Sequence, residues 1–579
     1  MKTISRFFLV PLAAVLLGGF LWTCSDEFLD VAPRGALGES VLATKSGVEG
    51  LLLGAYSQLG GRNNYFGGAS NWANGSIQGG EANKGTNDGD FTDINELVQY
   101  QLESTSRIPR DRWNGLYEGV TRANSALALL AASQDPLITD ADRTRIAAEA
   151  RFLRAHYYFQ LKISFNRVPW LMEGLTLEEQ QVVVSSDPWP NIEADFLFAF
   201  DNLPETQAEA GRANKWAAAA YLGKTYLFQD KWGEANNMFQ MVVDNGQTTN
   251  GQAYGLLDYY PDAFNAEFDN SKESVFAVQA AVNTGATQNA NPDFVLNFIQ
   301  NGPGGCCGFF QPSFDLVNSF RTVDGLPLLD NSQNADGNKL KHDQGIEGLD
   351  PEKPETFFTP DDGPVDPRLD HSVGRRGIPY LDWGDHPGKP YIRDQPYAGP
   401  YSPKKFVFYQ AQQGSLSDGS SWTAGYGGMN YNIIRYADVL LMLAETEIEL
   451  GNLEPARALI NQIRERAAAS PLTRADGTET ANYVINTYDA AFASADEARA
   501  ALRMERKLEL SGEGHRFFDL RRWGIAEQEL DRIIANEQQI LPIAYLGADF
   551  SSPQDLYYPI PQGQIDLQGP EVLPQNPGY

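Results

Sequence analysis

The chain has 579 residues, with 75 Asp and Glu against 45 Lys and Arg, a formal net charge of −30. Charge of that sign repels nucleic acid and favours solubility, while 42% hydrophobic content with 31 Phe, 25 Tyr and 10 Trp is enough for a sizeable core. Only three cysteines are present, which excludes a disulfide-stapled scaffold, and a chain of this size has no need of one.

The chain opens with Lys2 and Arg6, followed by an apolar or small run from Phe7 to Trp22. That run is shorter than the roughly 20 residues a membrane span requires. A basic start and a short apolar core read as an export signal. Leu21 stands three residues before Cys24, the core of a bacterial lipoprotein signal, although Trp22 and Thr23 are bulkier than is usual between them. Residues 1–23 are therefore expected to be the signal peptide. Residues 24–45 would be a tether lipidated at Cys24 by acyl chains, palmitate among them, and several such chains make a firm anchor; an ordinary secretion signal with a stray cysteine is the alternative.

Helical periodicity dominates the segments after this leader. Leu116, Val120, Ala123, Leu127 and Leu130 share one stripe, and Ile146, Ala150, Leu153, Tyr157 and Leu161 another. From Ala218 to Val243, Leu222, Gly223, Tyr226, Ala235 and Phe239 fall at the offsets of a tetratricopeptide unit. Leu443, Ala444, Ala456 and Ile460 repeat the arrangement. These pairs predict a mostly α fold, a tetratricopeptide-like helix-pair scaffold. Residues 46–282 form an N-terminal helical part and residues 431–579 a C-terminal helical part with a tail. The pairs are too far apart in sequence for a regular solenoid. Between them, residues 283–430 read as a large loop-rich ligand face, because long loops full of aromatics are functional more often than disordered.

The loops also hold the candidate binding residues. A sugar ring presents an apolar face to a flat aromatic and a rim of hydroxyls that need polar partners. Tyr65, Phe66 and Trp72 stand among Asn71, Asn74 and Gln78; Trp383 lies between Asp382 and Asp385; Trp422 and Tyr426 share a further loop. Each could instead anchor its own loop. Trp216, Trp232 and Trp523 lie in helical motifs and read as core. In "GGCCGFF", Cys306 and Cys307 could close a vicinal disulfide, a stiff plate beside Phe309 and Phe310 in the binding wall; two reduced thiols in a tight turn are the alternative.

Catalytic chemistry has no comparable signature. There is no G-x-S-x-G or H-E-x-x-H, and His156, His342, His371, His386 and His515 lack metal-ligand spacing. No catalytic residue, metal ligand or cofactor is assigned; "TPDDGPVD" reads as a solvated turn before a calcium loop. The charge-dense stretch with Glu505, Arg506, Glu509, Arg516, Asp519 and Arg522 reads as a buried or half-buried ion network. Its pairs are expected three or four residues apart along a helix.

Several segments resemble one family nearly end to end: "CSDEFLDVAPRG", "RFLRAHYYFQLKISFNRVPW", "GRANKWAAAAYLGKTYLFQDKWGEA", "NYNIIRYADVLLMLAETEIELG", "ERKLELSGEGHRFFDLRRWG" and "YYPIPQGQIDLQGPEVLPQNPGY". The chain resembles the SusD/RagB-type outer-membrane nutrient-binding lipoproteins. The resemblance implies a Cys24 anchor in the outer membrane, with Ser25, Asp26 and Glu27 as the signal for surface exposure. It further implies binding of an oligosaccharide or polysaccharide without catalysis, and delivery to a SusC-like TonB-dependent transporter, with the helical repeats facing that partner. Peptide or another nutrient is the alternative cargo. The net charge disfavours strongly anionic polysaccharides, with Arg375 and Arg376 as a patch that could override it.

Overall fold

The computed structural model describes residues 42–61, 66–286, 289–290, 299–346, 358–419 and 426–579. Cys24, Tyr65 and Trp422 lie outside these residues. Among the described residues no helix is long and apolar enough to cross a membrane.

The N-terminal half is built from α1 (Lys45–Ser57), α2 (Arg107–Ala132), α3 (Asp140–Phe165), α4 (Trp189–Asn202), α5 (Lys215–Leu227) and α6 (Trp232–Asn245). Side chains set their starts. Thr139 and Asp142 form a reciprocal capping box that begins α3, and Asn214 accepts from the Ala217 N–H to begin α5. Each helix from α2 to α6 packs on the next. At the α5–α6 contact a Cβ on Gly223 would stand 2.7 Å from the Phe239 ring. The glycine of the tetratricopeptide pattern thus lets the two backbones close on the buried Phe239 and Ala235.

The C-terminal half adds α7 (Tyr436–Glu449), α8 (Leu453–Ala468), α9 (Ala495–Glu509), α10 (Arg516–Arg522) and α11 (Ala526–Ile540). α6 packs directly on α7, and α7 on α8 and α9. The helix pairs that are distant in sequence are therefore neighbours in space. Lys224 of α5 and Asp438 of α7, both buried, pair at 3.2 Å across this junction.

Strands are few and short. β1 (Ala82–Gly85) pairs antiparallel with β3 (Phe309–Pro312), Gly85 opposite Phe309; β2 (Ser274–Val278) pairs antiparallel with β4 (Tyr431–Arg435). The first ribbon stitches the loop after α1 to the central loop region. The second stitches the entry and exit of that region together.

The ion network is present and buried, but its wiring differs from the expected helical spacing. Glu505 and Glu509 of α9 receive Arg368, and Glu505 also receives Arg464. Arg435 reaches Glu509 at 2.6 Å, Glu273 at 2.9 Å and Glu513 at 2.7 Å. Arg466 joins Glu509 and Glu273. Local pairing survives in Arg522 with Asp519, three residues apart. The reason is burial: carboxylates removed from water need several charge-assisted partners each, and one helix face cannot supply them. Arg375 and Arg376 are likewise not a surface patch. Both are buried, Arg375 on Asp370 at 2.6 Å and Arg376 on Asp343 at 3.4 Å.

Candidate ligand-binding face

The first predicted aromatic cluster lies inside the protein. Trp72 begins a π-helical turn, Trp72–Ile77, and is 2% exposed; Phe66 is buried beside it. The β1–β3 pairing brings Phe309 and Phe310 to the same place. Phe66 stacks on Trp72 at 6.2 Å, Trp72 meets Phe310 edge-on at 6.0 Å, and Phe91 links Phe66 at 5.7 Å to Phe309 at 6.2 Å. The polar neighbours are spent internally. Asn71 donates to Gln160 and accepts from Arg112 at 2.8 Å; Asn74 donates to the Phe66 carbonyl and accepts from the Tyr558 hydroxyl at 2.7 Å. Phe66, Asn71, Trp72, Asn74, Phe309 and Phe310 thus form a packed nucleus, not the exposed stacking surface expected of them. The amides follow the aromatics inward because buried backbone and side-chain polar groups need partners.

Tyr426 is also buried. It sits opposite Asp418 in a two-residue pairing and packs with Ala290 and Val282.

Trp383 is different. It is half-buried, and its indole N–H donates to the Phe408 carbonyl at 3.0 Å while the ring meets Phe408 edge-on at 5.8 Å. Asp382 holds the neighbouring loop by accepting from the backbone N–H groups of Gln410 and Ala411, and Asp385 pairs with Arg474 at 2.9 Å. The indole is therefore fixed in orientation with part of its ring in solvent.

Trp383 packs on a small apolar cluster of Ile299, Tyr380 and Val407, and so does the half-buried Tyr391. Among the described residues the Tyr391 hydroxyl makes no side-chain hydrogen bond. Burial pushes its pKa up, so it is a protonated donor at neutral pH.

Tyr391 also borders the cysteine turn. A Cβ on Gly302 would lie 3.2 Å from its ring, and Asn301 donates to the Pro390 carbonyl at 3.2 Å. Cys306 and Cys307 are half-buried with their sulfur atoms against each other; the Cys307 N–H donates to the Gln300 side chain at 3.2 Å.

Across the turn, the Gly308 carbonyl accepts from the Thr86 N–H, and exposed Arg393 binds Asp90 and the Thr86 hydroxyl at 2.9 Å. Lys84 ties this loop down through the carbonyls of Asp88 and Asp90, and burial lowers its pKa to about 8.

The structure therefore gathers Trp383, Tyr391, Asn301, the Cys306–Cys307 turn and the Arg393–Asp90 pair around the central loops. Two partly exposed rings supply flat apolar area, and amides and an ion pair supply the polar rim. Tyr391 ends the loop "YLDWGDHPGKPY" and was legible as an aromatic there. Asn301 carried no signal of its own, because only the fold brings it beside Pro390 and Tyr391; Arg393 follows Tyr391 by two residues, but its pairing with Asp90 and Thr86 is made only by the fold. Among the described residues no group of three His, Cys, Asp or Glu could hold a metal ion.

Known proteins share this architecture. The description of the SusD family matches residues 272–579, and one for starch-binding proteins associating with the outer membrane matches residues 27–227. A SusD-like protein of Formosa agariphila is 26% identical over 517 residues, spanning 86% of this chain and 87% of that protein. The fold is similar to that of a laminarin-binding SusD-like protein, with a TM-score of 0.61 at 24% identity, covering 93% of this chain and 100% of that one. It is similar also to surface glycan-binding protein A of Bacteroides thetaiotaomicron in complex with laminarihexaose, with a TM-score of 0.61 at 19% identity, covering 92% and 99%.

Proposed function

This chain belongs to the SusD family, and from that premise we propose that it captures a glycan at the outer membrane and passes it to a SusC-like TonB-dependent transporter. Lipid on Cys24 would hold it at the membrane, and the binding would involve no bond cleavage. The observation that carries the reading is the pair Trp383 and Tyr391, two half-buried rings on one rigid apolar cluster. Trp383 has its indole N–H committed to Phe408, so it offers a ligand its face and not a hydrogen bond. Stacking on a held ring costs little side-chain entropy, which is the advantage of a preorganised platform. Asn301, Arg393 and the Tyr391 hydroxyl would meet the sugar hydroxyls.

The glycan-binding descriptions of similar structures make β-glucans such as laminarin the first ligands to test. Residues 25–579 should bind at least one glycan class in a panel of neutral and anionic polysaccharides, and Trp383→Ala should weaken that binding. A panel without binding, or binding untouched by changes at Trp383 and Tyr391, would move the site elsewhere or the cargo to peptide. Transfer would be tested separately, by co-purification of the lipidated chain with a barrel transporter from outer membranes.

A further inference from the structure

Away from that face, a cleft of about 180 Å³ opens between α9, α10, α11 and the loop at Leu329 and Asn331. Its polar lining is Arg503, Lys507, Arg516, Gln528, Glu529 and Asn331. Three of these six are cations, in a chain whose net charge is −30.

The carboxylates nearby are already engaged. Asp315 receives Lys507 at 2.7 Å and Arg532 at 2.5 Å. Glu529 receives Asn331 at 2.9 Å and Arg532 at 3.1 Å. Arg516 is the cation left over. It is 7% exposed, and the one carboxylate within ion-pair reach among the described residues is Glu529, 3.8 Å away. None of its guanidinium N–H groups makes a hydrogen bond among those residues, and its Nε is buried without a partner. Arg503 contacts the Trp523 ring at 5.2 Å and makes no ion pair among the described residues.

A guanidinium carries five donors in a fixed fork. Burying it with those donors unfilled is strongly unfavourable unless an acceptor arrives. Burial depresses the basicity of Arg516 and Arg503 and outweighs the nearby carboxylates, which for Arg516 are Glu529, Glu81, Asp519 and Asp315. Planar forks of this kind match the oxygens of carboxylate, sulfate and phosphate groups.

We propose that this cleft binds one small oxyanion group against Arg516, with Lys507, Gln528 and Asn331 as its further donors. The chemistry is the same whether the group is a free inorganic ion or is carried on a sugar. The proposal is independent of the glycan face and does not rest on it.

The test follows the thermal midpoint of residues 25–579 at constant ionic strength. Sodium sulfate, sodium phosphate and glucose 6-sulfate are titrated against sodium chloride as the matched control. A ligand specific for the folded state raises the midpoint in a saturable way. The expected result is a saturable rise for at least one oxyanion over chloride, retained in Arg122→Gln and lost in Arg516→Gln. Glucose 6-sulfate binding at least tenfold tighter than sulfate would identify a sugar-borne group, and equal affinities a free ion. Should Arg516→Gln fold poorly, a selenate soak of wild-type crystals gives the same answer by anomalous scattering. A peak within hydrogen-bonding distance of Arg516 supports the proposal. No saturable rise over chloride, or selenate bound only elsewhere, overturns it.

Discussion

Nε of Arg435 donates to Oε2 of Glu513 at 2.7 Å, and Nη1 of the same guanidinium donates to Oε1 of Glu509 at 2.6 Å. One buried side chain at the end of β4 thereby fixes both the last turn of α9 and the turn leading to α10. Arg435→Met removes the cation and strands Glu509, Glu513 and Glu273 with fewer partners. A loss of about 3–5 kcal/mol is expected, as for other broken buried pairs. Urea denaturation measures it; a loss under about 1 kcal/mol would mean that Arg466, Arg368 and Lys405 alone can neutralise the cluster.

Glu81 gives the pH dependence a direction. Burial raises its pKa from 4.5 to about 7. The folded state therefore holds this proton more tightly than the unfolded chain. The associated stability is full below about pH 4.5 and is lost as pH rises through about 7, for a total of about 3 kcal/mol. Glu81→Gln should flatten the stability curve across that window. Parallel curves for the two proteins would show that Glu81 does not titrate there.

The approach of α5 to α6 can be tested at its tightest point. Gly223→Ala puts a methyl against Phe239 and should cost about 1–3 kcal/mol through overpacking. Gly50→Ala in α1 is the control, since nothing lies within 4 Å of the added carbon; it should be neutral or stabilising by up to about 1 kcal/mol. Equal effects at the two positions would remove the packing explanation.

Trp383 and Trp72 should separate binding from stability. Trp383→Ala is expected to weaken glycan binding about tenfold or more, equivalent to about 1.4 kcal/mol, with a small change in melting. Trp72→Ala empties part of the aromatic nucleus and should lower stability by about 3–5 kcal/mol, leaving the affinity of the folded fraction unchanged. Isothermal titration and thermal melts on both variants decide the assignment, and the reverse pattern would return the site to the first loop.

The contrast between those two tryptophans also marks what the sequence could reveal. The helices were readable because a stripe such as Ile146, Ala150, Leu153, Tyr157 and Leu161 has helical spacing, and all five are buried in α3; that the helix is buried on every face from Phe152 to Phe165 the stripe did not show. The pairing of α5 with α6 was readable for the same reason. The first loop was misleading because its aromatics and amides read as a sugar-binding surface, and nothing was read from its glycines. In the structure they permit close backbone contact: a Cβ on Gly75 would stand 1.9 Å from the Gly514 carbonyl oxygen, and Gly514 itself has φ +78°. Glycine there serves packing between segments more than 400 residues apart, which leaves no local trace. Asn301 was illegible for a related reason, since the turn before β3 sets it against Pro390 and so beside Tyr391; Arg393 adjoins Tyr391 in sequence, but its contacts with Thr86 and Asp90 span about 300 residues.

The Lys224–Asp438 pair has a consequence for how the chain is made. Lys224 is finished long before its counter-charge, which lies 214 residues further on. Until α7 emerges, that face of α5 has neither its ionic partner nor its cover, and burying a lone ammonium would oppose closure of the N-terminal half. Helices α1 to α6 thus have reason to wait in an open state for α7 to α11, and contacts this distant in sequence make assembly slow. A fragment ending after α6 should be aggregation-prone, and the two helical halves should melt together as one cooperative unit.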